Sequence, residues 1–216
     1  MITTLYVLDL NQALSDLQAQ DAKLGSLITA SAPCTLTLYA PQTTLLEAIA
    51  WGIIGQQINT ITAQKLFQRF IDDAKPKGWT PETLARVDPE RLRTLGISRY
   101  KTRYLKTWAI ALQGDFPSLS ALETWDDLAI MERLTAIKGI GPWTAQLFLL
   151  FRLRRQDILP SNDLGIRIAI QQLYQLPERP TPRQVLSYGE RWQPYRSLAS
   201  WYLWRSLSAS IEQIHL

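Results

Sequence analysis

Cysteine and histidine are almost absent from this 216-residue chain, which contains one of each. A single cysteine, Cys34, cannot form an internal disulfide or supply the four thiolates of an iron–sulfur or zinc site. The only histidine, His215, is the penultimate residue, so the sequence argues against histidine-based catalysis and most zinc chemistry. The scarcity of cysteine also favours a reducing, cytoplasmic setting.

Long hydrophobic runs are missing as well. No stretch reaches the ~18 consecutive apolar residues of a membrane span, and the first residues lack the basic and apolar regions of a secretory signal. The chain is instead rich in aromatic residues, with eight Trp and eight Tyr, and carries a net charge of +4. Most of these rings are expected in a core, and some can line a pocket that stacks a flat ligand.

Positive charge is concentrated in two short stretches. The first stretch contains no acidic residue, and the second lies close to the glycine-rich segment described below. Their members are Arg91, Arg93, Arg99, Lys101, Arg103 and Lys106, and then Arg152, Arg154 and Arg155. Such clusters favour a polyanionic partner, and they are equally expected of two solvated helix faces.

Helical periodicity extends through almost the whole chain and predicts an all-α fold of about ten helices. Residues that cap helix N-termini precede these segments at several places: Thr44, Asn59, Thr80, Asp88 and Ser98. Proline follows Thr80 and Asp88 directly, which is typical of a first helical position. Only Thr4–Leu8 and Thr35–Tyr39 have a strand-like pattern, and each can also be extended coil.

The most informative segment is Leu134–Ala145, which has the sequence LTAIKGIGPWTA. Its two glycines predict a tight turn between two helices, where the backbone can approach a bulky partner. The free N–H groups at the start of the second helix attract an anion. We therefore predict that this turn binds a DNA phosphate, with Ile140 packed inward, although a plain helix–turn–helix joint would also explain the glycines. The residues assigned to this site are Lys138, Gly139, Ile140, Gly141 and Thr144.

Four separated blocks of the sequence resemble the helix-hairpin-helix (HhH-GPD) DNA glycosylase superfamily, and more closely its 3-methyladenine DNA glycosylase II branch. The blocks follow the family order: IIGQQIN (53–59), LGISRYKTRYL (95–105), the hairpin, and LPSNDLGIR (159–167) with RWQPYRSLASWYLW (191–204). The first block departs from the family at Asn59, where serine is usual. The resemblance implies an enzyme that flips an alkylated purine out of duplex DNA, hydrolyses its N-glycosidic bond and leaves an abasic site.

Asp163 matches the aspartate that this family uses for catalysis. Breaking an N-glycosidic bond builds positive charge on the sugar, which a carboxylate stabilises, and a carboxylate can also orient or deprotonate the attacking water. An ordinary N-cap of the helix that follows explains Asp163 as well, and the two roles are compatible. Asp157 and Glu190 are other carboxylates in this part of the chain, but neither matches the family position.

The hairpin also predicts what the enzyme does not do. Relatives similar to endonuclease III have a Schiff-base lysine two residues after the last hairpin glycine, and Trp143 occupies that position here. We therefore expect a monofunctional glycosylase that leaves the strand intact. Trp143 and Trp204 match positions that resemble the family's pocket-lining aromatic residues, which stack on a cationic base. Leu147 stands where some relatives have a pocket tyrosine, which leaves the base spectrum open.

The segment from Ile97 to Tyr100 resembles the family's inserting loop. Arg99 or Tyr100 would fill the gap left by the flipped base, and Lys101 would contact a phosphate. Gln56 and Gln57 would either hydrogen-bond DNA near the lesion or satisfy a bent helix junction.

The resemblance further implies two helical lobes with an active-site cleft between them, one formed by residues 1–58 and 157–216 and the other by residues 59–156. The expected partner is double-stranded DNA with alkylated bases, bound by a monomer in the cytoplasm of a bacterium or the nucleus of a eukaryote. No membrane, metal site or organic cofactor is implied, although relatives often hold a monovalent cation on hairpin carbonyls. The alternatives are a non-catalytic hairpin DNA-binding protein, a glycosylase for a different damaged base, and an all-α protein-interaction module.

Overall fold

The computed structural model describes residues 9–36 and 44–207, and these residues fold into thirteen α-helices without a strand. The prediction of an all-α fold is confirmed. Of the two strand-like stretches, Thr4–Leu8 and residues 37–39 lie outside the described residues. None of the described helices has the length and hydropathy needed to cross a membrane.

The chain divides into two compact units, and the first consists of residues 1–42 and 149–216. In this unit α2 packs against α11 and α13, and α11 also packs against α12 and α13. A 3₁₀ turn, Glu190–Trp192, follows α12 directly. The helices of the first unit are α1 (Leu10–Gln20), α2 (Ala22–Ala30), α11 (Leu164–Tyr174), α12 (Pro182–Gly189) and α13 (Arg196–Ser206).

The carboxylate of Asp21, which is buried, joins the N-terminal and C-terminal helices of the first unit. It caps α2 by accepting a hydrogen bond from the Leu24 N–H at 3.1 Å, and it also accepts from the Tyr174 hydroxyl and the Trp192 indole N–H. Burial alone would raise the pKa of this carboxyl, but these hydrogen bonds hold the pKa below its ordinary value. Burial and the bond to Asp21 raise the pKa of Tyr174. An ionised buried group therefore ties two distant parts of the sequence together.

The second unit consists of Thr43–Phe148. Its central helix is α3, which packs against α4, α7 and α10. The sequence assigned this helix to the other lobe, with boundaries at residues 58/59 and 156/157, whereas the structure divides the chain near residues 42/43 and 148/149 because α3 is packed among the helices of this unit. Its helices are α3 (Leu45–Gly55), α4 (Thr60–Asp73), α5 (Pro81–Arg86), α6 (Pro89–Thr94), α7 (Arg99–Ala111), α8 (Leu119–Thr124), α9 (Asp127–Thr135) and α10 (Pro142–Leu147).

Side-chain caps begin almost every described helix. The predicted caps are confirmed, and each accepts a hydrogen bond from a backbone N–H of the first turn: Thr44, Asn59, Thr80, Asp88 and Ser98. Helices α1, α2 and α8, which the sequence pattern did not predict, also begin with capping side chains. Among the described α-helices, only α10 and α13 begin without a side-chain cap, at Gly141 and Tyr195.

Helix α10 continues directly into a π-helical stretch, Phe148–Arg152. The boundary between the two units falls inside this stretch, between Phe148 and Leu149. Short π-helical turns occur frequently at functional sites. Here the turn belongs to the helix that begins at the glycine hairpin.

Candidate functional site

The two hairpin glycines, both in the second unit, have different roles. Gly139 has a φ of +101°, and a Cβ atom there would lie 2.2 Å from Cγ of the Tyr104 ring. Gly141 has a φ of −95°, and no atom lies within 4 Å of the position that its Cβ would take. The fold therefore requires glycine at position 139, whereas at position 141 the missing side chain leaves open space beside the start of α10.

The backbone N–H groups of the hairpin differ in their hydrogen bonds: one is bonded within the turn, and those at the start of α10 have no side-chain acceptor from the N-cap residue. Ile140 is buried, as predicted, and its N–H donates to the Ile137 carbonyl at 3.0 Å. This amide therefore already has an acceptor within the turn. Gly141 offers no side-chain acceptor to the first-turn amides of α10, and Lys138 is exposed beside the turn. The hairpin thus combines an uncapped helix start with a positive charge.

Thr144 is not accessible in the structure. Its side chain is 1% exposed, and its hydroxyl accepts a hydrogen bond of 3.1 Å from the Gln56 side-chain amide. The same Gln56 nitrogen donates to the Gly139 carbonyl at 3.0 Å. The Thr144 hydroxyl is therefore already engaged inside the fold, and Gln56 satisfies the helix junction.

Gln57 is exposed and has a φ of +58°. A residue other than glycine in this left-handed region costs about 1–3 kcal/mol when the structure holds it there, and such strain is concentrated at functional sites. Gln57 lies between α3 and α4, directly after the hydrogen-bonded Gln56. It therefore remains a candidate for DNA contact, with a backbone observation to support it.

The basic stretch from Arg91 to Lys106 is mostly engaged in internal contacts. Arg91 and Arg93 pair with Asp73 and Glu90, and the Lys106 ammonium donates to the Val87 carbonyl. The exposed members include Arg99 and Arg103, and Arg103 lies over the rings of Tyr100 and Tyr104. The stretch therefore does not form one continuous basic surface.

The Lys101 ammonium also has an internal partner. It donates to the Ile54 carbonyl at 2.8 Å, at the C-terminal end of α3, and burial lowers its pKa. A cation at this end of a helix interacts favourably with the helix dipole. The contact joins α7 to the end of α3, which is a structural role that the sequence did not reveal. By contrast, the two predicted wedge residues, Arg99 and Tyr100, are exposed, and Tyr100 is 64% exposed.

The second basic cluster is largely buried. Arg154 is 6% exposed and Arg155 is 2% exposed, and Arg154 has a left-handed φ of +54°. Neither side chain contributes to a solvated basic face, so the interpretation of these residues as part of a surface patch is wrong. The segment that follows the π-helical turn is buried, and no pattern in the sequence indicates this burial.

Asp163, in the first unit, is half-buried and caps α11. Its Oδ1 accepts hydrogen bonds from the Ile166 N–H at 2.8 Å and from the Trp204 indole N–H at 2.9 Å. The expected capping role is confirmed. A Cβ on Gly165 would lie 3.0 Å from Asp163 Oδ1 and 3.2 Å from Trp204 Cδ1, so glycine permits this close approach. The chain therefore fixes one oxygen of this carboxylate with two donors on different helices.

The other carboxylates near Asp163 in the sequence have different surroundings. Asp157 forms a two-pronged ion pair with Arg196, with N–O distances of 2.6 and 2.9 Å. This pair fixes the segment that precedes α13 and leaves Asp157 a structural role. Glu190 is exposed and begins the 3₁₀ turn after α12.

The proposed pocket residues differ in accessibility. The Trp204 ring stacks on Phe151, a residue of the π-helical stretch, with centroids 5.6 Å apart and planes at 23°. Trp143 is half-buried in the second unit, and its ring tip faces Gly55, 3.6 Å from the position of a Cβ there. Leu147, at the position of the relatives' pocket tyrosine, is 7% exposed and packs in the interior. The described residues contain no cluster of three or more His, Cys, Asp or Glu side chains suited to a metal ion.

Two contacts at the hairpin were not anticipated from the sequence. The Tyr104 ring lies against Gly139, and Gln56 bridges Gly139 and Thr144. Both depend on how α3 and α7 pack beside the hairpin, and the residues themselves are unremarkable in sequence. Only the glycine at position 139 gave a signal that something bulky lies close by.

Comparison with known protein families assigns most of the chain to one of them. Residues 50–194 match the family model described as "HhH-GPD superfamily base excision DNA repair protein". The chain belongs to the HhH-GPD superfamily. The resemblance predicted from four sequence blocks is thereby confirmed, and the match includes both the hairpin and Asp163.

Individual relatives of this HhH-GPD chain agree with the family assignment. The DNA-3-methyladenine glycosylase 1 of Schizosaccharomyces pombe is 37% identical over 74% of this chain and 71% of its own length. A DNA-3-methyladenine glycosylase of Bacillus subtilis is 31% identical over 76% of this chain, which spans 57% of that relative. The solved structure of S. pombe 3-methyladenine DNA glycosylase (Mag1) in complex with abasic DNA has a TM-score of 0.83 and 33% identity, covering 92% of this chain and 98% of that one.

Proposed function

We propose that this chain is a monofunctional DNA glycosylase that removes alkylated purines from double-stranded DNA and leaves an abasic site in an intact strand. The 3-methyladenine glycosylase names of its relatives and the abasic DNA bound to the S. pombe structure support this substrate class. The observation that carries the proposal is the carboxylate of Asp163, which is only half-buried and is held by the Ile166 N–H and the Trp204 indole.

Asp163 is proposed as the catalytic residue. As the N-glycosidic bond breaks, its electron pair leaves with the base and positive charge develops on the sugar. A fixed carboxylate stabilises that charge without having to reorganise, and it can orient the water that adds to the sugar carbon. Its place at a helix N-terminus favours a negative charge. An alkylated purine such as 3-methyladenine is already cationic and leaves as a neutral base, so one carboxylate without histidine suits this reaction.

DNA binding is assigned to the hairpin of the second unit and to exposed residues of the same unit. The uncapped start of α10, the open space at Gly141 and the charge of Lys138 suit a phosphate oxygen. Arg99 or Tyr100 is proposed to fill the gap left by the flipped base, with Gln57 as a further contact near the lesion. Since each phosphate contact releases counterions, affinity should fall as salt rises. Duplex DNA bound by a monomer is the simplest arrangement.

The flipped base is proposed to stack on the indole ring of Trp204, which donates its N–H to Asp163 in the same unit. Contact of an electron-rich ring with a cationic purine contributes about 0.5–2 kcal/mol, so selectivity would also depend on the weakened glycosidic bond. No organic cofactor is needed, and a monovalent cation could sit on the backbone carbonyls of the hairpin. The enzyme would act wherever the cell keeps its DNA: the cytoplasm of a bacterium or the nucleus of a eukaryote.

The test is to incubate the purified chain with methylated duplex DNA and to separate the released bases by chromatography. We expect 3-methyladenine among the products, strand breakage only after alkali treatment, and no adduct trapped by borohydride, because Trp143 replaces the Schiff-base lysine. DNA binding without release of any base would favour the non-catalytic hairpin protein. Release from DNA with oxidised guanine or mismatches, but not from methylated DNA, would favour another glycosylase branch.

A further inference from the structure

The side-chain amide of Gln56 lies between the two arms of the hairpin. Its nitrogen donates to the Gly139 carbonyl at 3.0 Å, in the turn, and to the Thr144 hydroxyl at 3.1 Å, in the first turn of α10. A glutamine amide has two hydrogens to donate, and both have an acceptor here. One side chain from α3 therefore holds both the glycine corner and the helix that follows it.

The close packing of α3 on the hairpin makes this bridge possible. A Cβ on Gly52 would lie 2.6 Å from Cγ2 of Thr144, so the two helices approach more closely than any larger residue permits. At the end of α3, the Lys101 ammonium holds the Ile54 carbonyl at 2.8 Å. Gln56 follows directly as the C-cap of α3. Its amide is therefore presented to the hairpin from a fixed position.

The turn needs such a constraint because of its composition. Gly139 has a φ of +101°, and glycine reaches many other backbone conformations at little cost. The first turn of α10, which follows the two glycines, has no capping side chain. A loop that is ordered before its partner arrives binds more tightly, since the entropy of ordering is not lost on binding.

We propose that Gln56 is a positioning residue for DNA binding, whose amide holds Gly139 and Thr144 so that the hairpin is preorganised for a phosphate. This inference rests on the proposed function, in which the hairpin binds the DNA backbone. Gln56 acts through the turn and does not touch the DNA. Its removal should therefore weaken binding without changing the chemistry of excision.

The experiment measures the Kd for a duplex that contains a tetrahydrofuran abasic analogue, across a series of salt concentrations. The variants are Gln56→Met, which keeps the length of the side chain without its donors, Thr144→Val, which removes the acceptor, and Thr144→Ser, which restores it. Gln113→Met is the matched control, because the Gln113 amide also donates to two carbonyls of the second unit, those of Pro81 and Ala109. All measurements are made well below the Tm of each variant.

We expect Gln56→Met, which removes both hydrogen bonds of the bridge, to raise Kd about 5- to 10-fold. Thr144→Val removes only one of these bonds and should raise Kd about threefold. The double variant should bind no more weakly than Gln56→Met alone, since that change already removes the bond to Thr144. Thr144→Ser should recover most of the affinity lost in Thr144→Val. The slope of log Kd against log salt should stay unchanged in Gln56→Met, because no phosphate-neutralising cation is lost. The single-turnover excision rate at saturating enzyme should also stay within about twofold of the wild-type rate, and Gln113→Met should change only Tm.

The outcomes separate this inference from the proposed function. A rise in Kd for Gln56→Met but not for Thr144→Val would overturn the two-armed bridge, because the bond to Thr144 would then contribute nothing to DNA binding. Gly141→Ala tests the hairpin itself, because its new methyl group fits the fold but fills the open space. If Gly141→Ala weakens binding and the Gln56 and Thr144 variants do not, the inference is overturned. If Gly141→Ala binds normally, the phosphate site of the proposed function is wrong, and the inference falls with it.

Discussion

Asp21 and Asp163 are both N-cap residues in the first unit, and each accepts a hydrogen bond from a tryptophan indole. Asp21 is 5% exposed and also accepts from the Tyr174 hydroxyl and two backbone N–H groups. Asp163 is half-buried. The two sites have the same local design, so a capping aspartate with an indole donor does not by itself identify a catalytic residue. Accessibility distinguishes a carboxylate that holds the fold together from one that can reach a substrate.

The largest expected effect is that of Asp163→Asn. Asparagine is also a good N-cap, so α11 should keep its start and Tm should change little. Loss of the negative charge should lower the single-turnover excision rate by about 10²- to 10⁴-fold, the range for a catalytic carboxylate or an electrostatic stabiliser. Affinity for the abasic duplex should be retained. Base release at a near-normal rate would remove the catalytic assignment of Asp163.

The corresponding change at Asp21 should have the opposite pattern. Asp21→Asn places an amide NH₂ group among donors and removes charge-assisted hydrogen bonds, which should lower the free energy of unfolding by about 2–3 kcal/mol. Excision by the folded variant should be normal. Urea denaturation at pH 7 measures the first effect and single-turnover kinetics the second. An Asp21→Asn variant that is stable but inactive would contradict the distinction between the two aspartates.

The pH dependence of stability sharpens the same comparison. Since the pKa of Asp21 is lower in the folded chain than its ordinary value, the ionised group stabilises the fold above its unfolded-state pKa of about 3.9. That stabilisation is lost as the pH falls through the folded-state pKa. The difference in unfolding free energy between wild type and Asp21→Asn should therefore be full at pH 7 and shrink below about pH 4. A difference that stays constant to pH 2 would mean that Asp21 is not ionised in the fold.

The two indole donors offer a third comparison. Trp204→Phe keeps a ring that can stack on Phe151 but loses the N–H that fixes Asp163 Oδ1. We expect excision to fall about 10- to 100-fold, as the loss of one hydrogen bond to a charged group predicts, with a small change in Tm. Trp192→Phe loses the equivalent bond to Asp21 in a fully buried site, so it should lower Tm and leave excision unchanged. Equal effects of the two variants on excision would contradict this assignment.

The local features of the fold were predictable from the sequence, because they depend on neighbouring residues. Capping side chains such as Thr44 and Asn59 act within one helical turn, and the inward packing of Ile140 follows from its place between two glycines. The same local reasoning predicted that Asp163 caps the helix that follows it. Its candidacy as the catalytic residue came from the family resemblance, since capping aspartates are common.

The long-range features were not predictable from local patterns. Lys101 and Thr144 lie in motifs typical of DNA contact, yet their polar groups bond to α3 residues far away in the sequence. Arg154 is charged and still buried, since the chain turns inward after the π-helical stretch. The sequence does not predict the left-handed backbone of Gln57 either, because glutamine rarely adopts that conformation. Each case depends on tertiary packing, which overrides the preference of the individual residue.

The smallest expected effect tests how closely Asp163 must be held. In Gly165→Ala, the new methyl group would lie 3.0 Å from Asp163 Oδ1 and 3.2 Å from Trp204 Cδ1, so one of the two groups has to move by a few tenths of an ångström. Alanine is favoured over glycine in a helix by about 1 kcal/mol, which should offset the crowding and keep Tm close to that of the wild type. Excision should fall about threefold, less than in Trp204→Phe, since the hydrogen bond is lengthened and not removed.

A matched control for Gly165→Ala is Gly25→Ala in α2, the helix that Asp21 caps. There the Cβ would lie 3.0 Å from the Gln18 backbone, so the crowding is similar but does not involve a carboxylate. That variant should change Tm and leave excision unchanged. If Gly165→Ala is as active as the wild type while Trp204→Phe is impaired, the indole bond matters for catalysis but its length does not. If both variants are fully active, Asp163 works without the orientation that Trp204 provides, and its accessibility alone distinguishes it from Asp21.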